Sequence, residues 1–234
     1  MNDIIDNIKN IRNRMTLACE KAGREAGSVR LLLATKTVAP DRIRTAIEAG
    51  ETLIGENRIQ EFAAKNPELS GLKYERHFIG HLQTNKIKDM LKYDVKCIQS
   101  LDSMELMHSL DRRLQSEGRS IDVMVQVNTS FEASKFGLNP GDVFSFLKEL
   151  KKYDTLKLKG FMTIGLFDSD TEAVRRSYTR LREIRDRAIS EGIVPPESSE
   201  LSMGMSSDLE TAIEEGATIV RIGTAIFGTR TSNR

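Results

Sequence analysis

The sequence is poor in cysteine, has no excess of either charge and has no long apolar run. Its 234 residues include only two cysteines, Cys19 and Cys97, which lie far apart and without the spacing of a metal site. This excludes a disulfide framework and indicates a reducing compartment. The 35 Lys and Arg residues balance 34 Asp and Glu residues, so the chain carries no electrostatic footprint for nucleic acid or a membrane surface.

No segment is typical of export or of membrane insertion. The first ten residues, MNDIIDNIKN, carry acids and a helical period, and they lack the basic region and apolar core of a signal peptide. No apolar stretch approaches the length of a membrane span. These features predict a soluble cytoplasmic protein.

What the sequence does contain is a regular alternation of short apolar strands and helices. One amphipathic helix comes first, with apolar residues at steps of three and four from Ile4 to Ala22. Strict alternation after it predicts a parallel sheet with right-handed crossovers, and eight units in this length predict a (β/α)₈ TIM barrel. The eight predicted strands are 30–35, 52–54, 77–79, 95–99, 121–128, 156–164, 201–203 and 218–222.

An open doubly wound sheet is the alternative architecture. It would need a glycine-rich turn after an early strand, and the segment ATKTVAP (34–40) has no glycine. The chain also has no low-complexity segment and no linker rich in proline or serine. We therefore expect one barrel domain spanning residues 1–234.

The loops after the seventh and eighth strands have the composition of an anion site. In SMGMSSDLETAI (202–213), Ser207 and Glu210 have the spacing of a capping box, and Ser206 lies just ahead of the predicted helix. The N–H groups at a helix start suit an anion, and barrels often bind phosphate in these two loops. Either serine alone is better explained as a simple cap. The convergence with Gly223 and Thr224 favours a phosphate site.

The alternation of side chains along the last strand places Arg221 inside the barrel. Val220 and Ile222 share one face of the last strand, which we assign to the covering helices, so Arg221 points inward. A buried guanidinium needs a partner. That partner is either a carboxylate within the barrel or a bound ligand.

The same argument applies to Lys36 at the end of the first strand. Leu32, Ala34 and Lys36 share a face, so Lys36 points into the mouth if the other two line the barrel. A strand-end lysine is more often simply solvated. The first and eighth strands are neighbours in a closed barrel, however, so Lys36 and the phosphate site can share one cavity. An aldehyde that carries a phosphate, pyridoxal 5′-phosphate (PLP), would fit both.

Four motifs together resemble the pyridoxal-phosphate homeostasis proteins, the YggS/PROSC group, which is related to the N-terminal barrel of alanine racemase. The motifs are LLLATKTVAP, IGENRIQE, HFIGHLQTNK and LSMGMSSDLETAIEEGATIVRIGTAIFG, and the resemblance covers the chain nearly end to end. It implies a fold-type III PLP-binding barrel with PLP held as a Schiff base on Lys36. It further implies that Arg221 faces the pyridine nitrogen, that Asn57 lies near the cofactor and that Ser206, Gly223 and Thr224 hold the phosphate.

One loop departs from the family pattern. The family follows Met-Thr and an apolar residue with Ala-Pro, where this chain has GLFDSD from Gly165, so one rim loop is expected to differ in shape. Lys135, in ASKFG, matches a family lysine and is left outside the predicted site. His77 is expected to be a satisfied barrel residue, and no metal site is expected.

The resemblance predicts a PLP carrier without catalytic residues. An arginine stays protonated and only donates hydrogen bonds, so it would leave the PLP ring a weak electron sink. Alanine racemase adds a tyrosine from a separate C-terminal domain of its partner subunit. This chain ends at Arg234, and its tyrosines (74, 93, 153 and 178) are expected away from the mouth.

We therefore expect a monomeric protein of PLP (vitamin B6) homeostasis, with PLP-dependent apo-enzymes as candidate acceptors. Two alternatives remain. One is a weak amino-acid racemase or another fold-type III PLP enzyme, and the other is a Schiff-base aldolase that uses no cofactor.

Overall fold

The computed structural model describes residues 2–166 and 168–228, in which eight parallel strands close into a barrel in chain order. Each strand pairs with its neighbours along the chain, and the last strand pairs with the first. This confirms the predicted (β/α)₈ fold. The strands are β1 (Arg30–Ala34), β2 (Leu53–Glu56), β3 (Glu75–Phe78), β4 (Val95–Leu101), β5 (Ile121–Gln126), β6 (Leu156–Met162), β7 (Glu200–Ser202) and β8 (Ile219–Ile222).

Helices precede and connect the strands, as the alternation predicts. They are α1 (Asn2–Lys21), α2 (Pro40–Glu48), α3 (Ile59–Lys65), α4 (Ile87–Met90), α5 (Met104–Glu117), α6 (Val143–Leu150), α7 (Thr171–Ser190), α8 (Leu209–Glu214) and α9 (Thr224–Phe227). The leading helix α1 is confirmed, and its apolar stripe is buried from Ile4 to Ala18. Because that stripe packs on α2, α8 and α9, α1 braces the side of the barrel where β8 meets β1.

The barrel has an apolar interior that is separate from the layer between strands and helices. Leu32 and Ile219 belong to this interior cluster, together with Cys97 and Met162. Val220 and Ile222 face the opposite way, into the layer beneath the helices. The parity prediction for β1 and β8 is therefore confirmed, and its consequence is that Lys36 and Arg221 lie on the inner side.

Three local elements differ from the sequence prediction. The segment between β3 and β4 is not one continuous helix, because 3₁₀ turns at Thr84–Lys86 and Leu91–Tyr93 lie on either side of α4. Helix α8 begins at Leu209, further along the chain than the position just after Ser206 where the sequence predicted it. Helix α9 was not predicted, because four residues between two glycines are too short to show a period.

None of the helices within residues 2–166 and 168–228 combines the length and hydrophobicity that crossing a bilayer would require. That residues 1–234 form a single domain stays a prediction.

Candidate functional site

A cavity of about 630 Å³ opens at the C-terminal ends of the strands, a size within the range of small-molecule sites. The structure brings all six predicted ligand-binding residues to its wall: Lys36, Asn57, Ser206, Arg221, Gly223 and Thr224. The strand-end lysine and the loops after β7 and β8 therefore share one chamber. That these residues bind a cofactor stays a prediction.

The backbone around Lys36 is held in an unusual conformation. Lys36 is half-buried, and the next residue, Thr37, has φ of 62°, a left-handed value that is rare for a β-branched residue. The Thr37 hydroxyl donates to the Lys36 carbonyl at 2.6 Å, and Pro40 begins α2 three residues later. Strained residues of this kind persist only where the surroundings hold them, and they cluster at functional sites.

A buried polar cluster lies directly behind this turn. The Lys65 ammonium donates to the Thr35 carbonyl at 2.7 Å and to Glu56 Oε1 at 2.6 Å, and the Thr35 hydroxyl donates to the same carboxylate oxygen at 2.6 Å. All three residues are buried. Burial raises the pKa of Glu56 to about 7, although the Lys65 charge acts in the opposite direction. The cluster fixes the carbonyl next to Lys36, and the sequence analysis missed it.

Glycines at two positions let the loops after β7 and β8 approach the cavity. Gly204 has φ of 94°, and a Cβ there would lie 2.5 Å from the Ala212 Cβ. A Cβ on Gly223 would lie 2.8 Å from the Ala34 carbonyl oxygen. Both positions therefore exclude side chains.

Helix α9 brings a helix start to the cavity. The Ala225 amide donates to Ser206 Oγ at 3.3 Å, which ties the loop after β7 to the first turn of α9. Thr224 and Phe227 of α9 line the cavity. A short extra helix after the last strand is a common element of phosphate sites in barrels.

The predicted capping box of Ser207 with Glu210 is wrong. Ser207 is exposed, and Asp208 Oδ1 instead accepts from the Met205 amide at 2.6 Å. Glu210 pairs with Arg14 of α1, with Nε and Oε1 2.6 Å apart. The described residues of α8 do not line the cavity, so α9, and not α8, is the helix start that faces it.

Arg221 reaches the cavity from inside the barrel, as predicted. Its side chain is only 6% exposed, and it donates to Ser202 Oγ and to the Thr163 carbonyl, each at 2.7 Å. Among the residues described, no carboxylate lies within 4.0 Å of it, so the alternative of an ion pair within the barrel is wrong. Burial lowers the pKa of Arg221, while the nearby Tyr178 and Asp208 oppose the shift.

The contact between Arg221 and Ser202 begins a chain of hydrogen bonds through the barrel. Ser202 donates to Gln99 Oε1 at 2.6 Å, Gln99 Nε2 lies 2.7 Å from His77 Nδ1, and His77 Nε2 lies 2.6 Å from Glu75 Oε1. An arginine only donates and a carboxylate only accepts, so the direction of every bond is fixed. His77 therefore accepts at Nδ1 and donates from Nε2, and its assignment as a satisfied barrel residue is confirmed.

The rim loop at Gly165 rests on Tyr178. Gly165 has φ of 74°, and a Cβ there would lie 2.8 Å from the Tyr178 ring. Tyr178 does not line the cavity, but it is fully buried beneath this loop, closer to the mouth than expected. Burial raises its pKa. Lys135 donates to the Gly165 carbonyl at 2.8 Å and pairs with Glu132, so it braces the same loop from outside the cavity.

Several lining residues were missed by the sequence analysis. Arg42 is one of them, and its guanidinium donates to the Phe227 carbonyl at 3.0 Å. Apolar side chains from Ile79, Ile164 and Met205 complete the wall. Among the described lining residues there is no carboxylate, imidazole, thiol or phenol. Across the described parts of the chain, no three His, Cys, Asp or Glu side chains converge in a way that could hold a metal ion.

Comparisons with known proteins place the chain in a family. Residues 2–231 match the model of the alanine racemase N-terminal domain. A pyridoxal phosphate homeostasis protein of Aquifex aeolicus is 41% identical over 226 residues, which cover 96% of this chain and 97% of that protein.

Two solved structures share the fold along nearly the whole chain. A structure described as an unknown protein from Bifidobacterium adolescentis superposes with a TM-score of 0.90 at 41% identity, over 97% of this chain and 95% of that one. PipY of Synechococcus elongatus PCC7942 with PLP bound gives 0.83 at 30% identity, over 96% and 100%. The chain therefore belongs to the pyridoxal phosphate homeostasis proteins, within the family of the alanine racemase N-terminal domain.

Proposed function

We propose that this chain binds PLP in the 630 Å³ cavity, carries it on Lys36 and serves PLP (vitamin B6) homeostasis without catalytic turnover of its own. The proposal rests on one observation: the primary amine of Lys36 and the loops after β7 and β8 line the same cavity. PLP supplies an aldehyde, which condenses with an amine with loss of water, and a phosphate dianion at the other end of the molecule.

The residues on the cavity wall fit these two ends. Lys36 offers the amine. Gly223 offers close backbone approach, Ser206 and Thr224 offer hydroxyl groups, and the start of α9 offers amide donors to a phosphate. We assign Arg221 to the side of the pyridine nitrogen and Asn57 to a contact near the ring. The PLP-bound relative PipY supports the choice of ligand.

Two features support a carrier in preference to an enzyme. Arg221 only donates hydrogen bonds and stays cationic, so it offers no carboxylate to keep a pyridine nitrogen protonated. The described lining residues also include no carboxylate, imidazole, thiol or phenol that could act as a second acid–base group beside Lys36. The names of the relatives as homeostasis proteins agree with this assignment.

A spectroscopic titration with a turnover assay tests the proposal. Purified protein freed of ligand is titrated with PLP, and the loaded protein is then incubated with L-alanine and a panel of other amino acids. We expect saturable binding with an absorbance band in the visible, and racemisation no faster than with free PLP. Turnover well above free PLP would favour the alternative of a fold-type III enzyme. Absence of PLP binding would favour the hypothesis of a Schiff-base aldolase that uses no cofactor.

Transfer of the bound PLP completes the proposed role. We infer that PLP-dependent apo-enzymes are the acceptors and that the protein acts as a cytoplasmic monomer. Mixing loaded protein with an apo-enzyme, beside an equal amount of free PLP and a scavenger for released PLP, separates direct transfer from release into solution. Reactivation that survives the scavenger supports transfer, and reactivation that the scavenger abolishes contradicts it.

A further inference from the structure

A second cavity of about 450 Å³ lies beside the first, between the loops that follow β2 and β3. It contains much of the motif GHLQTNK (80–86), to which the proposed function assigns no role. The two cavities share no lining residue. The wall between them is tight, because a Cβ on Gly80 would lie 2.0 Å from the carbonyl oxygen of Asn57.

Two cationic side chains lie at the rim of this second cavity. Arg58 comes from the loop after β2 and Lys86 from the loop after β3, and the imidazole of His81 lies beside them. The His81 ring stacks on Phe136 with centroids 3.8 Å apart, and its Nδ1 lies 3.7 Å from Asp102 Oδ2. The imidazole is therefore held in place at the cavity edge.

Neither Arg58 nor Lys86 has a carboxylate within ion-pairing distance in the described parts of the chain. The nearby acids in the sequence are already engaged. Glu61 accepts from the backbone amides of Asn57 and Arg58 at 3.2 and 3.1 Å, and Asp89 pairs with Lys92 at 2.7 Å. Lys86 is half-buried, and its long apolar stem can lie along the cavity wall while the ammonium remains available to a ligand.

The remaining lining residues suggest the rest of the ligand. The side-chain amides of Gln60 and Gln83 add donors and acceptors at the rim, and Phe78 and Leu82 provide an apolar floor that is buried in the protein. An arginine fork suits a carboxylate or a phosphate, and a lysine adds a point charge. The volume lies within the range of small-molecule sites.

We propose that this second cavity binds a small organic anion, a phosphate or carboxylate carried on an apolar body, at a site separate from the first cavity. Arg58 and Lys86 bind the anionic group, and Phe78 and Leu82 contact the apolar body. The proposal does not depend on PLP binding in the first cavity.

Amide chemical shifts of the full-length, ¹⁵N-labelled protein test it. The probes are phenyl phosphate and benzoate, which carry an apolar body, and inorganic phosphate, which has none. We expect saturable shifts at Gln60, Gln83 and Lys86, with phenyl phosphate or benzoate binding more tightly than inorganic phosphate. Shifts at Gly223 and Gly228, which line the first cavity, are read separately. Saturable shifts confined to those two glycines would overturn the proposal, as would no saturable shift at all.

A matched pair of variants separates a site from general charge attraction. Arg58→Gln with Lys86→Gln removes both rim charges and should weaken binding at Gln60 and Gln83 by roughly tenfold or more. Lys88→Gln with Arg112→Gln removes the same net charge from exposed positions outside both cavities and should change binding less than about twofold. Equal losses in the two variants would overturn the proposal. If the first variant does not fold, Lys86→Met alone keeps the apolar stem and tests the same contact.

Discussion

Arg221 and His77 are joined by a line of three hydrogen bonds through the barrel interior. Ser202 and Gln99 are the intermediates, and each donor–acceptor distance is 2.6 or 2.7 Å. Arg221 lines the cavity at one end, and His77 meets Glu75 at the other. The guanidinium that lines the cavity is thus positioned by residues deep below it. Hydrogen bonds in such a chain also strengthen one another in a low-dielectric interior.

The direction of this chain predicts the tautomer of His77. Nitrogen-15 NMR of the imidazole should show Nε2 protonated and Nδ1 unprotonated near neutral pH, because Nδ1 accepts from Gln99. A proton on Nδ1 would contradict the assigned directions of the bonds from Gln99 to His77 and from Ser202 to Gln99.

Breaking this series of hydrogen bonds at Gln99 should lower the stability of the fold. Gln99→Leu leaves Ser202 and His77 without their buried partner, at about 1–3 kcal/mol for each unsatisfied group. We expect the free energy of unfolding in urea to fall by roughly 2–4 kcal/mol. The exposed Gln60→Leu serves as the control and should change it by about 0.5 kcal/mol or less. Equal effects of the two substitutions would show that the hydrogen-bond series makes no measurable contribution to the free energy of unfolding.

The cluster behind Lys36 should depend on both members of its ion pair. Lys65→Met removes the cation from the buried Glu56 and should destabilise the fold by about 3–5 kcal/mol in urea unfolding. Because the Lys65 ammonium holds the Thr35 carbonyl at 2.7 Å, the same substitution should also weaken PLP capture. The exposed Lys73→Met is the control. Adding Glu56→Leu to Lys65→Met should recover part of the lost stability, and no recovery would contradict an electrostatic origin of the loss.

The ion pairs at the lower end of the barrel predict acid sensitivity. Hydrogen bonding to His77, followed by the contact with Arg30, lowers the pKa of Glu75 from 4.5 to about 2. A carboxylate with a depressed folded-state pKa stabilises the fold above its unfolded pKa, and this contribution is lost as the pH falls through the folded value. We therefore expect stability to decline between about pH 4.5 and pH 2. Glu75→Gln should flatten this decline, and an unchanged slope would show that other carboxylates cause it.

The side of the cavity that we propose for the phosphate should be sensitive to a larger side chain at Gly223. Gly223→Ala places a Cβ 2.8 Å from the Ala34 carbonyl oxygen, so the loop must shift. We expect the affinity for PLP to fall by roughly tenfold or more, with a smaller loss for pyridoxal, which has no phosphate. Gly141→Ala is the control, because its Cβ meets nothing within 4 Å. Equal losses for both ligands would place the phosphate elsewhere.

Periodicity in the sequence predicted the barrel, and parity along β1 and β8 predicted the inward positions of Lys36 and Arg221. Both follow from local geometry, since alternate residues of a strand face opposite sides. The register that sets Leu32 opposite Arg221 then brings the two loops together. That these six residues line one cavity was therefore predictable from the sequence and the family resemblance, and their role in binding a cofactor stays a prediction.

Contacts between distant elements were not accessible in this way. The partners Lys65 and Thr35 lie 30 residues apart, and Ser202 and Gln99 lie 103 apart. No local pattern pairs them. The expected Ser207 cap does not form, because α8 begins only at Leu209 and Asp208 occupies the N-cap position. Helix α9 was missed because it is a single turn.

The most direct test of the account is reductive trapping of PLP with borohydride followed by mass mapping of the labelled peptide. We expect one label, on Lys36, with loss of the visible absorbance band, and no label at this position in Lys36→Ala. Lys135 provides the internal comparison, because it lies at the rim and outside the cavity. A label on Lys135, or undiminished PLP affinity in Lys36→Ala, would contradict the central claim that Lys36 carries the cofactor.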